Sequence, residues 1–102
     1  MNSGLTESTT AQIRDVFSKH PEIDQVILYG SRAKGNYKPG SDIDLTLIGS
    51  SITQNVLSQI QSKFDMGPLP YRFDLSIFSQ LTHQDLIEHI QRVGVVFYQK
   101  AL

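Results

Sequence analysis

From Asp42 to Ile48 the chain alternates without a break, with Asp42, Asp44, Thr46 and Ile48 on one side and Ile43, Leu45 and Leu47 on the other. A period of two is that of an extended strand. A strand with one apolar and one polar side belongs in a sheet packed on one face, with the polar side left for other work. The rest of the chain is read around it. Ile13, Val16 and Phe17 have helical spacing and stop before Pro21, which predicts a helix over 8–19. The short apolar run Val26 to Tyr29 ends at Gly30 and reads as a buried strand, with Ser31 to Gly35 opening a short helix directly off it. Ser51-x-x-Gln54 is a capping-box pattern, and Val56, Leu57, Ile60 and Phe64 form the stripe of a helix that stops at Gly67-Pro68. Tyr71 to Phe78 alternates as a third strand. Thr82 begins a helix carrying Leu86, Ile87, Ile90 and Val93, and Val95 to Tyr98 is a last strand, either a sheet edge open to a partner or part of the core.

This order of helix and strand, four times over, predicts an α/β (α+β) layered domain. The 30–41 stretch between the first two strands is short for a parallel crossover, so a small mixed sheet of about four strands is expected, with helices mainly on one face. One domain over residues 1–102 accounts for the length. Nine Lys and Arg against ten Asp and Glu leave a net charge of -1. That argues against a dedicated nucleic-acid binder, and no strong binding to bare nucleic acid is expected. Without cysteine there are no disulfides and no thiolate metal sites. Met1 to Thr6 has neither the basic nor the apolar part of a signal peptide, and no apolar run approaches the roughly 20 residues that cross a bilayer. A cytoplasmic protein without membrane attachment is the expectation.

The polar side of the Asp42–Ile48 strand carries the first candidate chemistry. Residues two apart on a strand lie about 6.5–7 Å apart on one face. Carboxylates there can converge on one Mg²⁺ or straddle two ions about 3.5–4 Å apart. Mg²⁺ needs few protein ligands where phosphates supply the others. Taken alone, an Asp-x-Asp reads more readily as a solvated acidic edge. Gly30 and Ser31 lie where a strand ends and a helix begins, a place where free N–H groups and the helix dipole favour an anion. Gly30 permits close approach of the backbone, and the Ser31 hydroxyl can donate to a phosphate oxygen. A plain turn with Ser31 as N-cap has the same sequence. Arg32 and Lys34 can add positive charge for a polyphosphate, or simply be solvated helix residues. Tyr37 reads as a surface residue that can also stack on a base. His20, His83 and His89 show no ligand spacing, and the last two are expected on a solvated helix face.

Taken together, Gly30-Ser31-x-Ala33-x-Gly35, five residues, then Ser41-Asp42-x-Asp44-Leu45 resembles the signature of the polymerase-beta-type nucleotidyltransferase superfamily. The small size is similar to its minimal, HEPN-associated antitoxin members. The resemblance implies a third carboxylate on a neighbouring strand, for which Asp74 is the candidate, since Leu75 and Ile77 take the other face. It implies that Asp42, Asp44 and Asp74 are catalytic and hold metal, two Mg²⁺ ions, and that Asp74 helps deprotonate the acceptor. Gly30, Ser31, Arg32, Lys34, Ser41 and Arg72 are the implied nucleotide-binding residues. Arg72 shares a face with Asp74, and a simple Arg72–Asp74 ion pair is an equally good reading. The implied reaction transfers AMP from ATP to a hydroxyl, typically a tyrosine's, of a helical HEPN-type toxin partner, the chain acting as antitoxin. Two other readings stay open: a nucleotide-binding regulatory subunit that neutralises its partner by complex formation, and a small-molecule transferase of the antibiotic-modifying kind completed by a helical subunit. Homo-oligomers are compatible with each.

Overall fold

In the computed structural model, which describes residues 3–101, the elements follow the order read from the sequence. They are helix α1 (Glu7–Ser18), strand β1 (Gln25–Tyr29), the short helix α2 (Gly30–Lys34), β2 (Ile43–Ile48), α3 (Gln54–Asp65), β3 (Phe73–Ile77), a 3₁₀ turn (Phe78–Gln80), α4 (Gln84–Val93) and β4 (Val95–Gln99). Met1 and Asn2, the start of the segment judged unlike a signal peptide, lie outside the described residues, as does Leu102. Among the described residues no helix is long and apolar enough to cross a membrane.

Helix starts are set by side chains that accept from the first free N–H groups. Thr6 caps α1, accepting from Thr9 N at 3.0 Å. Two starts differ from the sequence reading. The cap of α3 is Thr53, which accepts from Val56 N at 3.2 Å, and not Ser51. Ile52 is drawn into the core just ahead of that cap, and Leu57 packs on the same cluster, as in a hydrophobic staple. The chain therefore stays extended through Ile52 and turns helical only afterwards. At α4 the cap is His83, whose Nδ1 accepts from Leu86 N at 3.3 Å, one residue beyond Thr82.

The sheet has the order β3-β2-β1-β4. β1 pairs antiparallel with both β2 and β4, while β2 and β3 run parallel, joined by the α3 crossover. The mixed sheet is the one anticipated from the short link between the first two strands. Ile43, Leu45 and Leu47 are sealed from solvent, with Val26, Leu28, Phe73 and Ile77 beside them and Ile13, Phe17, Ile60 and Phe64 above. Three rings lock the layers: Phe17 meets Phe64 edge-on at 5.7 Å, and Phe64 stacks on Phe73 at 4.1 Å. Both twelve-residue helices thus cover one face. The other face is only partly covered, by α4 lying over β1. Gly94 is pressed between Ile90 and Ile27 with no room for a side chain, and Ile90 is buried.

β4 is an end strand of the sheet and also carries core: of the two readings of residues 95–98, the edge position and the buried Phe97 both hold. A register shift opposite Val26 and Ile27 lets both Phe97 and Tyr98 join or pack on the core. Val96 stays 48% exposed. Arg14 lies across the edge, its Nε donating to Phe97 O at 2.7 Å and its guanidinium above the Phe97 ring.

Phe17 is fully buried at the junction of α1, α3 and β4, where it also meets Tyr98 at 5.9 Å. Phe17→Ala is expected to cost about 3–5 kcal/mol. That is a large share of the roughly 5–15 kcal/mol of a typical domain. The urea midpoint should fall sharply without a change in the steepness of the transition.

Candidate active site

Register builds the acidic row. In the antiparallel pair Tyr29 stands opposite Asp44, and in the parallel pair Asp44 stands beside Asp74 and Thr46 beside Ser76. These residues occupy the face that α1 and α3 leave free, because their neighbours Leu45 and Ile43 fill the core. Ser76 Oγ donates to Thr46 Oγ1 at 2.9 Å, tying β3 to β2 just behind the carboxylates. Asp42 is exposed one residue before β2 begins, and Asp74 is exposed on the edge strand. Among the described residues no group of three Asp, Glu, His or Cys side chains is already closed into a metal-holding cluster. The three aspartates share one end of the sheet as an open row.

Asp44 carries the electrostatic strain of that row. Half-buried, its carboxyl is pushed from 3.8 up to about 6, first by burial, then by the charges of Asp74 and Asp42, with Arg32 opposing. Tyr29, buried beside it, has its phenol raised by burial and by Asp74 and Asp44, with a hydrogen bond to Ser76 acting the other way. A site that makes ionisation this unfavourable is one that a bound cation would relieve, and the all-oxygen donor set suits a hard divalent ion.

Gly30 follows Tyr29 and starts α2 with φ at +75°, in the left-handed region. A Cβ there would collide with Asp44 Oδ2, so the glycine backbone lies directly against the carboxylate. The turn and the acidic row are therefore one structure. The backbone cap of α2 is Tyr29, with no side-chain cap, so Ser31 is an interior residue of the turn and not the N-cap. Ser31 O accepts from Gly35 N and Asn36 N, which closes the helix at Gly35. One contributor was missed by sequence reasoning: His89 on α4, whose Nε2 accepts from Gly30 N at 3.3 Å and whose ring meets Tyr29 edge-on. A signal existed, since residue 89 lies three after Leu86 and four before Val93, on the apolar stripe and not on a solvated face.

The candidate cations separate. Arg32 is neither solvated nor open to a ligand: it is 2% exposed. Its guanidinium donates to Ser41 O at 3.0 and 3.2 Å, to Ser3 O at 2.9 Å and to Pro39 O at 3.4 Å. It lies over the Tyr37 and Tyr71 rings at 5.4 and 5.1 Å. Ser41 closes the loop, its Oγ accepting from Lys38 N at 2.8 Å. Lys34 and Arg72 are exposed, and Arg72 forms no ion pair with Asp74 among the described residues. Among the described residues, well-formed cavities lie along α1, along α3 and beside Gln99 to Ala101, and these are not lined by Asp42, Asp44 or Asp74. The acidic row faces outward.

Three outcomes follow from this geometry. The folded state holds the proton of Asp44 more tightly than the unfolded chain, so its contribution to stability is lost as pH rises from 3.8 through about 6. In metal-free buffer the thermal midpoint of the native chain should fall across that window relative to Asp44→Asn. The Asp44 carboxyl carbon should titrate with a midpoint near 6 by NMR. Arg32→Lys keeps the charge but replaces three separate donor nitrogens in a planar fork by one ammonium centre, and is expected to cost on the order of 3 kcal/mol in chemical denaturation.

The sequence profile described as polymerase beta, nucleotidyltransferase matches residues 11–101. A Methanocaldococcus jannaschii protein named as a protein adenylyltransferase is 35% identical over 72 residues, which are 71% of this chain and 53% of the relative. The chain thus spans about half the length of that relative. A solved toxin–antitoxin complex with AMP-PNP contains a chain of the same fold, with a TM-score of 0.72 at 18% identity, covering 94% of this chain and 75% of that one. A complex of tri-AMPylated Shewanella oneidensis HEPN toxin with MNT antitoxin contains another, with a TM-score of 0.56 at 16% identity, covering 96% and 73%. Identities this low speak for the fold alone. The profile runs from α1 through β4 and takes in both the glycine turn and the acidic row, and the chain belongs to the polymerase beta nucleotidyltransferase family.

Proposed function

We propose that the chain is a Mg²⁺-dependent protein adenylyltransferase that transfers AMP from ATP to a tyrosine hydroxyl of a HEPN-type toxin and so acts as its antitoxin. The observation that carries this reading is the packing of Gly30 against Asp44, with Asp74 in register beside it. A turn able to receive phosphate and a carboxylate row able to hold cations lie in contact, as attack on a nucleoside triphosphate requires.

In the proposed reaction the acceptor oxygen attacks the α-phosphorus of ATP, the bond to the β-phosphate oxygen breaks, and pyrophosphate leaves. Asp42, Asp44 and Asp74 are the residues that would hold two Mg²⁺ ions, which when bound lower the acceptor's pKa and offset charge on the phosphates. Gly30, which has no side chain, lets the β- and γ-phosphates approach the turn, and the Ser31 backbone N–H and hydroxyl are the donors that hold them. Asp74, exposed at the rim, receives the hydroxyl proton. Lys34 and Arg72, both exposed, are the cations proposed to meet phosphate charge, whereas Arg32 holds the loop that ends at Asp42.

The outward-facing acidic row favours a macromolecular acceptor. Asp42 and Asp74 are exposed there, so a hydroxyl carried on another protein's surface can reach them. The relative named as a protein adenylyltransferase and the neighbour described with a tri-AMPylated HEPN toxin support the same acceptor class.

The test is transfer from α-³²P-ATP with Mg²⁺ to the HEPN protein encoded nearest this chain, resolved on a denaturing gel. A labelled toxin band, mapped to tyrosine by mass, is expected with the native chain and should drop at least 100-fold with Asp42→Asn. No labelled protein, with toxin activity still suppressed, would replace catalysis by neutralisation through complex formation.

A further inference from the structure

We infer that His89 is a positioning residue for the Asp44 carboxylate, acting through the Gly30 peptide. Three contacts carry this. His89 Nε2 accepts from Gly30 N at 3.3 Å. The His89 ring meets Tyr29 edge-on, with centroids 6.1 Å apart and planes at 81°. Gly30, held at φ +75°, leaves no space for even a methyl group between its Cα and Asp44 Oδ2.

The wall against which the Asp44 carboxylate rests is thus made of two consecutive residues, Tyr29 and Gly30, and His89 touches both. Tyr29 is also the cross-strand partner of Asp44. A shift of the Tyr29–Gly30 peptide as a unit would carry the Gly30 Cα toward or away from Oδ2, and the bond to His89 ties that peptide to α4. A five-residue helix has few internal hydrogen bonds with which to hold itself. The brace comes from α4, which is itself anchored by buried Ile90, the residue after His89, and by Gly94 against Ile27.

Acceptance at Nε2 leaves the ring proton on Nδ1, so the bond assigns one tautomer of a neutral imidazole. It also means that the Gly30 N–H is already engaged and is not a phosphate donor in this state. Within the proposed reaction, the turn's remaining donors are those from Ser31 onward.

This inference rests on Asp44 holding a divalent ion. Residues that orient a metal ligand through one hydrogen bond typically change metal affinity 10–100-fold when replaced. The experiment compares His89→Leu, which fills space without an acceptor, and His89→Gln, whose amide oxygen can accept from Gly30 N, with the native chain. Mn²⁺ binding is measured by electron paramagnetic resonance without nucleotide, and exchange of the Gly30 amide is followed by NMR in the same samples. His89→Leu should weaken Mn²⁺ binding at least tenfold and expose the Gly30 amide to exchange while the thermal midpoint stays close to native, and His89→Gln should restore both. Unchanged Mn²⁺ affinity in His89→Leu, or a Gln variant no better than Leu, overturns the positioning role, and leaves AMP transfer by the native chain intact as a separate finding. Tight Mn²⁺ binding with the expected variant pattern but no label transfer overturns the proposed reaction and leaves the positioning role standing. Absence of Mn²⁺ binding by the native chain overturns the positioning role outright.

Discussion

Strand β2 has to satisfy two opposite environments one residue apart, and the rest of the molecule is arranged around that demand. Ile43, Leu45 and Leu47 are sealed into the core beneath α1 and α3, while Asp44 between them is forced to the other face next to Asp74. A register slip of one residue would bury the carboxylate and expose three large apolar side chains, so the hydrophobic effect fixes the position of the acid. The free energy that holds the site in place is core packing on the far side of the sheet. This is why a row of mutually repelling carboxylates, unfavourable in itself, persists in the folded chain.

The turn beside the row is held by two long-range ties, neither of them local. Arg32 reaches inward to the carbonyls of Ser3, Pro39 and Ser41 and is flanked by two tyrosine rings, so one cation joins the start of the chain to the loop that delivers Asp42. A buried guanidinium is tolerable because its donors meet carbonyl oxygens and aromatic faces. His89 reaches down from α4 to the Gly30 peptide. Between these ties, Gly30 has the one backbone conformation that brings it against Asp44, and a side chain at that position has nowhere to go. The geometry of the turn is decided by what surrounds it.

Much of this was legible in the chain. The strict alternation of 42–48 predicts the strand and its two faces, and the short 30–41 link predicts an antiparallel neighbour, as β1 and β2 are. The reading of Leu75 and Ile77 as inward-facing leaves Asp74 outward, beside Asp44 in the parallel pair. Helix starts were displaced by one or two residues because capping is decided by where the preceding apolar residue must go, and Ile52 is taken by the core. Arg32 and His89 were misread for a related reason. A charged or ionisable residue on a short or amphipathic helix is solvated by default, and its burial depends on segments far away in sequence: Ser3, Ser41 and Tyr71 for one, Tyr29 and Gly30 for the other.

By itself, then, the sequence determined the elements, the two faces of β2, the acidic pair and the glycine that precedes it, because these rest on periodicity and on local backbone freedom. The tertiary structure alone decided that Asp74 stands beside Asp44, that Gly30 touches the carboxylate, that Arg32 is a tie within the fold, and that His89 belongs to the site. Those contacts join residues of different elements, from 14 positions apart (Gly30 and Asp44) to 59 (Gly30 and His89). They exist only once packing of the apolar faces has brought the strands and α4 into register, and no local pattern encodes that distance.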